Sequence, residues 1–124
     1  MLVRYTRKVP HVPHIVIDHT DTLAGTVDVP ALVAELHPLV VDRVRSVGVG
    51  KTFVRPSATY VDGAAAPFVH VEVGILAGRP QEVKSALAED VLTLLDKHTS
   101  AVPGVTCSVE VRDLDASYRL FPTH

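Results

Sequence analysis

The chain has one cysteine, Cys107, and no tryptophan. A lone cysteine excludes an intrachain disulfide framework and a zinc site built from several thiolates. Cys107 falls in an apolar, strand-like run, where a packed and inert thiol is expected rather than a nucleophile. No apolar stretch is long enough to span a bilayer. The opening MLVRYTRKVPHVPH carries some positive charge but neither a hydrophobic segment nor a small-residue cleavage site, so it does not read as a secretory signal. A cytoplasmic protein without a membrane partner is the expectation. An excess of one charge is also missing: 12 Lys and Arg stand against 14 Asp and Glu, a formal net charge of −2 at pH 7. That balance argues against a nucleic-acid partner.

What is present suits one domain of 124 residues, 47% of them hydrophobic, with a buried core. From Pro13 onward the patterning is regular. Ile15 and Ile17 alternate with His14, Val16 and Asp18, the period of a strand. Thr20 to Thr26 reads as a loop. Asp28 then offers an N-cap and Pro30 lies in the first helical turn. Leu32, Leu36, Val40 and Val44 recur every four residues, one face of an amphipathic helix. Pro38 interrupts that helix and predicts a kink or an irregular first half; Gly48 and Gly50 end the segment. Lys51 to Arg55 is extended, and Thr59-Tyr60-Val61 is expected to prolong that strand past Pro56. Asp62 to Pro67 is turn material.

The second half repeats this order. Phe68 to Ile75 is the clearest strand, with Val69, Val71, Val73 and Ile75 on one face. Gly78-Arg79-Pro80 leads into a helix whose stripe is Val83, Leu87, Val91 and Leu94/Leu95. Pro103-Gly104 breaks the chain, and Val105, Cys107, Val109 and Val111 alternate through a final strand. The residues after Leu114 have no clear period.

The fold class is therefore α/β (α+β): tandem β-α-β units forming a four-stranded mixed sheet with two helices on one face. Each unit pairs its two strands in parallel through a right-handed crossover. The other sheet face is left bare, and the heavy Val and Ile alternation predicts that a homo-oligomer buries it. His11, His14 and His19 do not make a metal site, because His14 and His19 have opposite strand parity. His70 reads as a packed or surface-facing strand residue.

Pro13-His14-Ile15-Val16-Ile17, followed by a loop and a Val-Pro-started helix, resembles the start of mature 5-carboxymethyl-2-hydroxymuconate Δ-isomerases. Phe68-Val69-His70-Val71-Glu72-Val73 and the following Gly74-Ile75-Leu76-Ala77-Gly78-Arg79 resemble that family's second unit. The family belongs to the tautomerase superfamily, of the same tandem fold as macrophage migration inhibitory factor. The resemblance implies a trimer and a cofactor-independent isomerase of aromatic-acid catabolism, moving a proton between carbons of a small anionic muconate-type acid. It implies Pro13 as the catalytic base and Arg79 as a substrate-binding cation. The family's other arginine falls near Lys51 to Arg55, where either Lys51 or Arg55 could serve.

An N-terminal proline suits such work, since its ring holds the amine lone pair in a fixed direction and burial near cations lowers its pKa toward neutrality. Pro13 does not begin this chain, and an amide nitrogen is delocalised into its carbonyl and cannot act as a base. Residues 1–12 thus read as an N-terminal extension ahead of a domain over 13–124, with a start at codon 12 as the expectation for the native protein. If the extension is real, the alternative is a catalytically silent tautomerase-fold module for small-molecule binding or oligomerisation.

Overall fold

In the computed structural model, residues 13–45 and 49–121 are described. The expected extension over residues 1–12 and the helix-stop residue Gly48 lie outside them. Strand β1 covers His14–Thr20, helix α1 Val29–Val44 and strand β2 Lys51–Ser57. A two-stranded ribbon follows, β3 (Tyr60–Val61) and β4 (Ala64–Ala65). The second unit is β5 (Phe68–Ile75), α2 (Gln81–His98) and β6 (Thr106–Asp113). The four long strands form one sheet in the order β2-β1-β5-β6. β1 runs parallel to β2 and β5 parallel to β6, while the central β1–β5 pair is antiparallel. This is the mixed sheet expected from the repeat.

Strand alternation sends Ile15, Ile17, Val69, Val71, Val73 and Ile75 to the helix-covered face, where all are at most 2% exposed. Leu32, Leu36, Val40 and Val44 of α1 meet them, with Leu87, Val91 and Leu95 of α2, in one continuous core. The four-residue spacing in α1 is therefore its buried face. Asp28 accepts a bond from the Ala31 N–H at 3.0 Å, satisfying one of the orphan donors of the first turn.

Several expectations change. α1 runs unbroken through Pro38 as a helix. Pro38 and Ala34 both face solvent, so water can satisfy the Ala34 carbonyl that Pro38 cannot bond. Leu23 and the loop around it wind into a short 3-10 turn over Asp21–Gly25, which buries Leu23 beneath the sheet. β2 passes through Pro56 and stops at Ser57. Tyr60-Val61 does not prolong it but turns back against Ala64-Ala65. Asp62 and Gly63 both take positive φ, 52° and 82°, the requirement of a tight two-residue hairpin.

The bare face also differs from expectation. Its residues are the alternates of the core set: His14 and Asp18, Lys51 and Arg55, His70 and Glu72, Ser108 and Arg112, with Val16 and Phe53 among them. Arg55 pairs with Asp18 at 2.9 Å and Arg112 with Glu72 at 2.8 Å. His70 Nδ1 lies 2.7 Å from Ser108 Oγ. The Val and Ile alternation is spent on the helix side, and the open side is a lattice of polar pairs.

Replacing Pro38 by Ala should restore one backbone bond in α1. An interior proline costs about 3 kcal/mol, partly offset by its smaller unfolded-state entropy. Pro38→Ala is expected to stabilise the fold by about 2 kcal/mol, read as a higher urea midpoint at unchanged slope.

Candidate active site

Pro13 heads β1 and is fully buried. Its carbonyl accepts the Lys51 backbone N–H at 3.1 Å, which begins the parallel β1–β2 ladder. Gly50, just before Lys51, lets Pro13 and α1 approach closely. A Cβ placed there would lie 2.3 Å from His37 Cε1, 2.9 Å from His37 Nδ1 and 3.2 Å from Pro13 Cγ. No side chain fits at that point unless His37 moves. The proline ring is thus walled by backbone on one side, with an imidazole from α1 beside it. Sequence reading took Gly50 for a helix stop and did not single out His37; neither carries a periodic signal.

At the same end of the sheet, on the open face, His14 stands opposite Lys51 on β2 and Gly74 on β5. The His14 ring packs against Phe53 at a centroid distance of 5.2 Å. Burial, and then the neighbouring Lys51 ammonium, hold the His14 imidazole below its ordinary pKa, outweighing Glu72. A groove of about 450 Å3 runs past His14, Val16, Glu72, Gly74, Arg112 and Leu114. Gly74 permits it: a Cβ there would come within 2.7 Å of Leu114 Cδ2.

The unplaced tail closes this end. The Leu114 N–H bonds Ile75 O at 2.7 Å, carrying the ladder one residue past β6. Hydrogen bonding from the Ser117 side chain, and then from its backbone N–H, holds the Asp115 carboxyl below the usual range, and the Asp115 carbonyl accepts the Tyr118 N–H. That turn brings Tyr118 to β2, where Lys51 Nζ donates to Tyr118 Oη at 2.6 Å and lies 5.0 Å from the ring centroid.

The three predicted cations fare differently. Lys51 reaches the Pro13 end, and among the described residues no carboxylate lies within ion-pair distance of it. Arg79 also lacks a carboxylate partner among them. Its guanidinium does not project from the start of α2 but turns back, Nη2 donating to Val44 O at 2.6 Å and Nη1 to Leu76 O at 3.1 Å. It therefore caps the C-terminus of α1, where a cation also suits the helix dipole. Among the described residues, Nε and one hydrogen on each Nη have no partner. Arg55 sits four residues along β2 from Lys51, roughly 13 Å away at strand rise. Both arms of its fork close on Asp18, at 2.9 and 3.1 Å. Within one chain, Arg55 is not brought to Pro13, because Asp18 on the adjacent strand is its register partner.

A larger hollow, about 600 Å3, lies at the opposite end between the 3-10 turn and the β3–β4 ribbon. Its wall contains no Lys or Arg, and the Thr59 hydroxyl donates to Ala66 O while Thr20 Oγ1 accepts the Phe68 N–H and is paired with Thr59 Oγ1. It is poorly suited to an anion. Cys107 is half-buried beside Thr99, and burial pushes its thiol up, as expected for an inert side chain.

Two β-α-β units joined through an antiparallel centre, with a proline heading the first strand, are the tandem fold expected of a tautomerase-type isomerase. The profile of the 5-carboxymethyl-2-hydroxymuconate isomerase family matches residues 13–120, and the chain belongs to this family of isomerases. The match begins at Pro13 and takes in Tyr118. No curated protein sequence matches the chain. Among solved structures, the chain is similar to a 5-carboxymethyl-2-hydroxymuconate isomerase from Deinococcus radiodurans R1. That match has a TM-score of 0.70 at 23% identity and covers 87% of this chain and 88% of that one. A 5-carboxymethyl-2-hydroxymuconate delta-isomerase matches with a TM-score of 0.74 at 15% identity, covering 90% and 89%. A fused 4-OT, described as a symmetric trimer, matches with a TM-score of 0.63 at 21% identity, covering 91% and 94%. At these identities the likeness is one of fold.

Two measurements check this geometry. Removing the Lys51 charge with Lys51→Met should raise the His14 titration midpoint in an NMR experiment, yet leave it below about 6.5, the ordinary value, because burial is the larger cause. The sign follows from linkage: the fold disfavours protonated His14, so acidification below about 6.5 costs stability, and less so in Lys51→Met. Arg79→Met should leave the Val44 carbonyl without its partner and lower stability by about 1–3 kcal/mol in urea denaturation.

Proposed function

We propose that this chain, once Pro13 is its first residue, is a cofactor-independent isomerase or tautomerase. Its substrate is an anionic enol or a muconate-type acid such as 5-carboxymethyl-2-hydroxymuconate, met in aromatic-acid catabolism in the cytoplasm. One observation carries the reading. The family match starts at Pro13, and that buried proline accepts the backbone N–H of Lys51, whose side-chain ammonium, at the same end of the sheet, has no carboxylate partner among the described residues.

The chemistry follows from the amine. A free Pro13 nitrogen is a secondary amine with a directed lone pair. Burial of the ring disfavours its protonated form and keeps the base available near neutral pH. The nitrogen takes a proton from the dienol hydroxyl or an adjacent carbon, electrons flow through the conjugated system, and the same proton is returned at a different carbon. Charge builds on oxygen in the transition state, so cations placed there lower the barrier. Lys51 and the free hydrogens of Arg79 are assigned to the substrate's carboxylates and developing oxyanion. Arg55 was the other candidate for this role, and its pairing with Asp18 argues for Lys51. A homotrimer is the proposed assembly, supported by the trimeric 4-OT relative of the same fold.

In the 124-residue chain the Pro13 nitrogen is in an amide with Val12. That specific feature favours the second reading for this form: a catalytically silent module that retains the pocket. The test assays 5-carboxymethyl-2-hydroxymuconate isomerisation by the 124-residue chain, by a chain starting at Pro13, and by the latter with Pro13→Ala. Turnover is expected only in the second, with a loss of at least about 100-fold in the other two. Equal turnover in all three would remove Pro13 from the mechanism. Mass analysis of the N-terminus of the protein from its native gene then decides which form the cell makes.

A further inference from the structure

We propose that Lys51 and Tyr118 together form a two-donor fork that binds one carboxylate of a polycarboxylate substrate, with Tyr118 as the specificity-determining residue. This rests on the reading of the Pro13 end as the active site and deepens it. Lys51 Nζ donates to Tyr118 Oη at 2.6 Å. A phenol that accepts the ammonium proton on its oxygen keeps its own O–H proton to donate elsewhere. Lys51 keeps two further N–H donors. The pair therefore presents an N–H and an O–H side by side, a donor spacing suited to the two oxygens of one carboxylate. A lone ammonium is a point charge without such direction; the phenol supplies the second, oriented bond.

Three further observations support a ligand role over simple tail packing. Lys51 has no carboxylate partner among the described residues, whereas Arg43, Arg55, Lys84, Lys97 and Arg112 each have one. The one carboxylate in the Asp115–Tyr118 turn, that of Asp115, is turned onto the Ser117 N–H and so does not answer the Lys51 charge. The turn also bonds Tyr118 N–H to Asp115 O at 2.9 Å, so the phenol is delivered to β2 by a built element. The Lys51 backbone is bonded to the Pro13 carbonyl, and its side chain leaves β2 on the open face with His14. The fork thus stands on the open face at the Pro13 end of the sheet, and Arg79 lies at the same end, bonded to the last turn of α1 and just past the end of β5.

The experiment uses the full chain from Pro13 to His124 as wild type, Tyr118→Phe, Lys51→Met and the double variant. Phenylalanine keeps the ring and its contact with the ammonium and removes only the hydroxyl. The probe is the saturated tricarboxylate analogue of 5-carboxymethyl-2-hydroxymuconate, which cannot react. Calorimetry should show binding weakened about tenfold by Tyr118→Phe, the loss of one charge-assisted bond. The double variant should be no weaker than Lys51→Met alone, since the two donors act as a unit. In kinetics, Tyr118→Phe should raise KM by a similar factor with kcat within about twofold. With 13Cζ-labelled tyrosine, the resonance lost in Tyr118→Phe should shift saturably as the probe is added to wild type. If turnover is absent but that resonance still moves with the probe, the catalytic reading fails and the fork stands. If turnover depends on Pro13 while Tyr118→Phe changes neither KM nor binding, the fork is overturned and the enzyme stands.

Discussion

The molecule depends on the antiparallel pairing of β1 with β5. Each β-α-β unit alone offers two strands and one helix, too little apolar surface to stand by itself. The central pair aligns His14 with Gly74 and Ile17 with Val71, so the two Val and Ile faces become one sheet under two helices. The same pairing places the start of β1 beside the end of β5. Pro13, the Gly74 groove and the loop to Arg79 are gathered at one end of the sheet because these strands run in opposite directions there. The parallel pairing with β2 adds Lys51 to that end.

Charge is distributed on the same logic. On the open face Arg55 pairs with Asp18, its register partner, and Arg112 reaches diagonally to Glu72, whose own register partner is Glu110. These are exposed pairs and contribute little to stability, but they leave that stretch electrically quiet. At the Pro13 end the pattern stops. Lys51 faces a histidine across the ladder and a phenol from the tail, and Arg79 faces two carbonyls. A cation held by neutral partners is not neutralised by them, and under the proposed function that charge is what an anion would meet. Arg79 caps the end of α1, and that bond sets the orientation of its guanidinium.

Much of the fold was legible because its signals are local and periodic. Alternation in Ile15-Val16-Ile17 and from Val69 to Ile75, and the four-residue stripe from Leu32 to Val44, each reflect a repeating geometry. Where expectation and structure part, a longer-range effect wins. Pro38 is tolerated because Ala34, whose carbonyl it leaves free, faces water. Tyr60-Val61 turns back because Asp62-Gly63 can adopt positive φ. The open face is polar because alternation gives the core only every second residue, and the intervening ones are His, Asp, Glu and Arg.

The site was legible only in part. By itself the sequence determined the order of the four long strands and two helices, the parallel pairing within each unit and the identity of the residue at the head of β1. It also determined that an acylated proline nitrogen cannot take up a proton. These follow from short-range geometry and bonding. The tertiary structure alone decided which cation serves which partner: Arg55 for Asp18, Arg79 for the end of α1, Lys51 for Tyr118. It also decided that Gly50 and Gly74 are points of close approach and that the aperiodic tail turns back to bring Tyr118 to Lys51. Long side chains choose partners through space, across tens of residues of chain, and such choices leave no period in the sequence to read.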